Sequence, residues 1–301
     1  MFKKKFKKID NLFKFEISDN VTKNVTAFYD FAPFPNYKNH QNKHSLNSIG
    51  ENNFLFKQLK KFLGNNSNFI EIGSGTSQVS NYLAYGTNNK IYAFDPTLKS
   101  LEMGQLFAKN NNINNIFFVN ADIYDDVIES NSFDVALCSG VLHHTRDPYE
   151  SFSKIPKILK KNGYVIIGLY NSYGRIRTKI RRMFYKYFGK KFVIFFDPIL
   201  RNLNKDPKKN AEKIKSWIND QYEHPVESTH SFDEVLRWFE LHNIEFINSI
   251  PSCDCATSVP SDIFKKSGIT NKMERIFQQI RMNFNSFGDE GGLFIFIGKK
   301  W

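Results

Sequence analysis

The chain has 301 residues, 41% of them hydrophobic and 16% aromatic, enough to bury a full core in one elaborated domain. Its net charge of +12 suits an anionic partner of any kind, because long-range attraction does not separate nucleic acid from lipid or small acid, and a solvated basic face competes with all of them. Three cysteines, Cys138, Cys253 and Cys255, are too few and too unevenly spaced for a disulfide framework and complete no metal set, which excludes a disulfide-stapled scaffold and fits a reducing cytoplasm.

The start, Met1 to Lys8, is basic and has no apolar run of signal-peptide length. Phe2, Phe6, Ile9 and Phe13 stand among lysines there, either an amphipathic contact with an anionic membrane or a frayed tail. Residues 31–37, with Pro33, Pro35 and Tyr37, are too aromatic for an idle linker and read as a lid, or as an arm stapled to the outside.

From Asn68 the chain alternates. Short apolar runs at 68–72, 90–94, 116–119, 133–137 and 163–169 read as buried strands, and 78–85, 98–111 and 149–160 between them as helices, the last introduced by Asp147-Pro148. Repeated strand-helix-strand units predict a mainly parallel sheet covered on both faces. The rhythm breaks over 171–229, which is basic, aromatic and helix-compatible. It resumes with a helix over 231–243 behind an N-capping Ser231, and with strands at 244–250 and 293–298 separated by a polar, partly helical insert. The most apolar later stretches, 164–170 and 192–196, are far shorter than the roughly 20 residues of a membrane span.

Chemistry enters at the end of the first of these strands, in Glu71-Ile72-Gly73-Ser74-Gly75-Thr76-Ser77-Gln78. Glycines between a strand and a helix let backbone N–H groups approach a ligand. A dinucleotide fingerprint needs a third glycine where Gln78 stands. Asp95 and Asp122 end the next two strands, where one carboxylate can accept from ribose hydroxyls and the other from an adenine amino group, although Asp122 also suits the cap of a short helix.

An acidic residue followed by alternate glycines, Asp95, Asp122 and the run from Phe69 to Tyr170 that includes FDVALCSGVLHHTRDPYESF resemble the class I S-adenosylmethionine-dependent methyltransferases. Within them the chain is similar to the type 11 group that includes ubiquinone and menaquinone C-methyltransferases. Ser77 departs from a common third glycine. PFPNY, LYNSYGR, DQYEHPVESTHSFDEVLRWF and GGLFIFIGKK extend the likeness to the flanks.

The resemblance implies an α/β, Rossmann-like sheet of seven mostly parallel strands with the last antiparallel, helices on both faces, and a helical insertion over the carboxyl edge. It implies an N-terminal arm and lid at 1–50, a cofactor-binding core at 51–170, the insertion at 171–230, and the rest of the core at 231–301. Glu71, Gly73, Ser74, Gly75, Asp95, Asp122, Ile123 and the backbone of Cys138 would hold S-adenosyl-L-methionine.

Methyl transfer is a direct displacement that asks chiefly for alignment, with a base if the acceptor is a hydroxyl or an acidic carbon. His143, His144 and His224 are the candidate bases. Tyr37, Asn171, Tyr173, Arg175, Asp220, Tyr222, Glu227 and His230 are candidate acceptor contacts, Arg175 suiting an anion. The expected acceptor is a small or lipid-linked molecule. Nucleic acid is the disfavoured alternative, a non-catalytic methyltransferase-like binding protein is the alternative of another class, and no obligate protein partner is inferred.

Overall fold

Five apolar runs become five parallel strands because each is flanked on both faces by helices and needs no polar side. The computed structural model, which describes residues 1–31, 42–224, 226–253, 260–284 and 291–301, places them as β3 (Asn68–Ile72), β4 (Lys90–Asp95), β5 (Ile116–Asn120), β6 (Phe133–Ser139) and β7 (Leu159–Tyr170). Helices α4 (Gln78–Ala84), α5 (Leu98–Asn110) and α6 (Pro148–Ile158) alternate with them. α10 (Phe232–Leu241), β8 (Ile244–Ile250), α11 (Lys272–Arg281) and β9 (Leu293–Lys300) follow. β9 inserts antiparallel between β7 and β8.

Alternate residues along the strands feed two cores. Ile70 and Ile72 face Phe152 and Ile155 of α6 and Phe232, Val235, Trp238 and Phe239 of α10. On the other side Phe69 joins Leu59 and Leu63 of α3 (Phe54–Leu63), Tyr82 and Leu83 of α4, and Leu101 and Phe107 of α5. Each such buried side chain contributes about 1.5–3 kcal/mol. Capping fixes the helix entries. Asp147 accepts from Glu150 N at 2.9 Å, and Ser231 forms a capping box with Glu234.

Among the described residues the sheet has nine strands where seven were expected. β1 (Lys7–Ile9) and β2 (Leu12–Lys14) form a hairpin whose second strand runs parallel to β5, with Leu12 opposite Phe118. The start is therefore no frayed tail. The rings of Phe2 and Phe13 lie 4.9 Å apart and those of Phe2 and Phe15 5.3 Å, and Asn11 Nδ2 donates to Ile116 O at 2.9 Å. Three-residue strands dense in lysine leave no readable period, which is why the pattern hid them.

Among the described residues upstream of β3 lie the helices α1 (Asn20–Phe31), α2 (Lys43–Asn52) and α3. The stretch after β7 folds as α7 (Ile176–Phe196), kinked at Gly189, then α8 (Pro198–Leu203) and α9 (Ala211–Ile218), around a small core of Val193, Leu200, Ile218 and Tyr222. Among the described residues no helix is long and apolar enough to cross a membrane. Tyr37, most of the proposed lid and Cys255 lie outside the described residues, as does the side chain of Asp220.

Candidate active site

The carboxyl ends of β3, β4, β5 and β6 open into one cavity of about 600 Å³, within the range of small-molecule sites. Its floor is the turn after β3. Gly73 at φ +73° and Gly75 at φ +50° occupy left-handed backbone that a side chain would strain, and Gly73 N donates to Phe94 O at 2.8 Å. Ser77 takes the same left-handed conformation at φ 61°, so the position that departs from glycine bears a modest strain at the start of α4.

Three carboxylates surround this turn. Glu71 lines the cavity, and its Oε2 accepts from Ser80 N at 3.0 Å and Ser80 Oγ at 2.5 Å, tying β3 to α4. Burial pushes its carboxyl up to about 8. Asp95 accepts from Gly75 N at 2.8 Å and from Thr97 N at 2.7 Å, and so fixes the glycine turn against β4. A carboxylate has about four acceptor sites, and with the Thr97 hydroxyl also on Asp95 about one remains for a ligand's hydroxyl. Asp122 caps the short turn after β5 and also lines the cavity. Its Oδ1 accepts from Tyr124 N at 3.1 Å as a cap, while the residue lines the cavity with Oδ2 buried beside Thr22 without a well-formed hydrogen bond. Burial raises Asp95 and Asp122 above the ordinary carboxylate value.

Ser74 and Ile123 line the same cavity. Cys138 does not. It is buried in the core, and burial drives its thiol up, so it carries no thiolate chemistry.

The two neighbouring histidines have different surroundings. His144 lines the cavity, and its Nδ1 lies 2.7 Å from Val226 O. A carbonyl can only accept, so Nδ1 carries the proton and Nε2 holds the lone pair. Burial lowers its pKa to about 4, so the ring is neutral at physiological pH. His143 is fully buried, stacked 3.9 Å from the Tyr170 ring, with neither ring nitrogen hydrogen-bonded, and burial holds it far below its ordinary value. His224 packs its ring 3.7 Å from His144, and its Nδ1 accepts from Val226 N at 3.2 Å. It supports the wall from behind.

The residues expected to meet an acceptor are mostly engaged with one another. Arg175 is fully buried. Its Nη2 donates to Glu227 at 2.8 Å and its Nη1 to Gln221 at 2.7 Å, while its guanidinium lies 3.6 Å from the Tyr170 ring centre. Asn171 shapes the turn after β7 by accepting from Tyr173 N and Gly174 N and donating to Gln279. His230 bridges Ser228 and Glu234, and Tyr222 OH donates to Asp197 at 2.6 Å. None of Asn171, Tyr173, Arg175, Tyr222, Glu227 or His230 lines the cavity.

In their place the walls are Val21, Thr22, Val25 and Tyr29 of α1, Trp217 of α9, Tyr170, and Ser139 to Val141 at the end of β6. The signal for α1 was in the chain. Val21, Val25 and Tyr29 recur at helical spacing behind Asp19, whose Oδ2 accepts from Thr22 N at 2.9 Å.

Residues 70–167 match the model of a methyltransferase domain family, Methyltransf_11. An uncharacterized protein of Synechococcus sp. is 24% identical over 261 residues, which cover 76% of this chain; the chain spans only 60% of that relative's length. Among solved structures, PKMT2 from Rickettsia typhi superposes with a TM-score of 0.58 at 15% identity, over 81% of this chain and 51% of that one. Geranyl diphosphate C-methyltransferase from Streptomyces coelicolor A3(2) does so at 0.53 and 13%, over 95% and 100%. At these identities the superpositions establish a shared fold.

Proposed function

For a chain that carries a class I methyltransferase domain of the type 11 group, we propose that the cavity binds S-adenosyl-L-methionine and that the protein transfers its methyl group to a small or lipid-linked acceptor at oxygen or carbon. The observation that carries the reading is the convergence of the Gly73–Gly75 turn, Glu71, Asp95 and Asp122 on one cavity with His144 in its wall. The cofactor supplies an electrophilic methyl on a sulfonium, and the protein aligns an acceptor with it and excludes water. Asp95 accepts a hydrogen bond from a ribose hydroxyl, Asp122 and Ile123 receive the adenine, and Glu71 faces the methionine ammonium. Val25, Tyr29 and Trp217 close the opposite side over the acceptor, whose proton His144 Nε2 accepts.

Two consequences are measurable. The Glu71 carboxyl leaves an ordinary value of 4.5 for about 8 on burial, so the folded state keeps a proton that the unfolded chain loses. Its contribution to stability falls as pH rises from about 4.5 to about 8 and is flat above. A ligand ammonium favours the ionised form. S-adenosylmethionine binding at pH 7 should therefore release a proton, read as a buffer-dependent binding enthalpy, and should tighten as pH rises towards 8. Glu71→Gln should abolish both effects, and an unchanged buffer dependence in that variant would remove Glu71 from the site.

His144→Ala should lower turnover by about 10²–10⁴-fold while cofactor affinity changes only a few-fold. With a pKa of about 4, the ring adds no inflection to the rate above about pH 5. The acceptor class is tested with methyl-labelled cofactor and two fractions of a cell extract, organic and aqueous. Label in a small or lipid-linked product supports the reading, and label confined to nucleic acid contradicts it.

A further inference from the structure

Residues 171–215 carry fourteen Lys and Arg against three Asp and Glu, so this stretch contributes +11 to a chain whose total is +12. The proposed active site uses none of these charges. Helix α7 turns part of itself inward: Thr178 and Val193 are buried, and Arg182 donates to His224 O and pairs with Glu227 at 3.2 Å. Its outward side is apolar. Ile176, Ile180, Met183 and Tyr187, at positions i, i+4, i+7 and i+11, are 44%, 48%, 51% and 79% exposed and form one stripe. At 100° per residue Lys179 and Lys186 flank it on one side and Arg177 on the other.

Helix α11 and the turn after it repeat the pattern with exposed Met273, Phe277, Ile280 and Phe284, again at i, i+4, i+7 and i+11. The two helices join end to end. Arg177 Nη1 donates to Asn283 O at 2.9 Å, and Asn283 Nδ2 donates to Tyr173 O at 2.7 Å.

A merely solvated helix has no need of two apolar stripes, and a nucleic-acid groove offers polar donors and stacking rings in place of Ile and Met. Aliphatic and aromatic side chains flanked by lysines, whose stems lie along apolar surface while their ammonium heads reach anionic headgroups, match the chemistry of a lipid interface. We propose that the outward face of α7 and α11 docks the protein on the surface of an anionic lipid bilayer.

The cavity wall at His144 then lies behind the docking helix, since Arg182 of α7 donates to the backbone carbonyl of His224, whose ring packs 3.7 Å from that of His144. The Arg182 side chain and the His224 ring stand between α7 and His144 in the cavity wall. The inference holds whether or not the acceptor itself is lipid-linked.

The test is vesicle flotation of the full chain with phosphatidylcholine alone and with one-third phosphatidylglycerol, at low and high salt. Binding should be at least about tenfold stronger to the anionic vesicles and should weaken with salt. The triple variant I180S/M183S/Y187S should lose about tenfold or more while keeping its thermal midpoint, because these residues are exposed. K186A should lose roughly fivefold, the equivalent of about 1 kcal/mol at a charged surface. Four results would overturn the proposal: no partition onto anionic vesicles; equal binding by the serine variant; charge-dependent binding of RNA in place of vesicles; or a dimer in solution that the serine substitutions dissociate.

Discussion

Glu227→Ala should destabilise the protein by about 3–5 kcal/mol, the loss typical of removing one partner from a buried ion pair. Glu227 accepts from Arg175 and lies 3.2 Å from Arg182, and Arg175 has no exposure through which to solvate its charge. Without the carboxylate the guanidinium keeps Gln221, the carbonyl of Gly291 at 3.4 Å and the Tyr170 ring, none of which neutralises it. Tyr170 is a cavity wall and receives a hydrogen bond from Gln221, so the loss should also loosen the site. Removing both charges with Arg175→Met and Glu227→Leu should recover most of the stability. Urea midpoints of the two variants test this. A single variant within about 1 kcal/mol of the parent, where exposed pairs fall, would show that the pair is not desolvated.

The second large effect is expected at the cofactor turn. An alanine Cβ at Gly73 would stand 2.1 Å from Val141 Cγ2 at a backbone φ of +73°. About 1–2 kcal/mol comes from left-handed backbone and about 1–3 kcal/mol from overpacking, and the turn that presents N–H groups to the ligand must shift. Gly73→Ala should therefore lose S-adenosylmethionine binding by on the order of 100-fold as well as stability. Adding Val141→Ala removes the two methyl clashes and leaves the Val141 Cβ at 2.9 Å and the backbone strain, so the double variant should regain part of the stability before it regains affinity. Full binding by Gly73→Ala alone would mean that the turn does not touch the cofactor.

The strands and their terminal acids were legible because a strand buried on both faces is a continuous apolar run. In a parallel α/β sheet the residue that ends such a run lies at the carboxyl edge, where ligands bind. Glu71, Asp95 and Asp122 all stand there. His143 and His144 could not be separated in the same way. A 3-10 turn over Leu142–His144 rotates successive side chains by about 120°, which sends one ring into the core beside Tyr170 and the other into the cavity.

Arg175 reads as an anion ligand in sequence, and only the return of Gln221 and Glu227, 46 and 52 residues later, shows that its charge is already met inside the protein. The cavity wall from α1 carried a readable helical spacing, overshadowed by the louder aromatic and proline signal of the segment after it. The charge concentrated in 171–215 was visible as composition. Its geometry, stripes of apolar side chains between the lysines, needed the helices.

The central claim is that the cavity is an S-adenosylmethionine site, and calorimetric titration of the protein with S-adenosylmethionine, its demethylated product and NADH tests it most directly, repeated with Asp95→Ala. Asp95 would accept a hydrogen bond from a ribose hydroxyl, worth about 1.5–3 kcal/mol because the acceptor is charged, and it anchors Gly75 and Thr97 as well. Saturable binding of the first two ligands that Asp95→Ala weakens by on the order of 100-fold or more is the predicted result; a preference for NADH, or binding that the variant leaves intact, would contradict it.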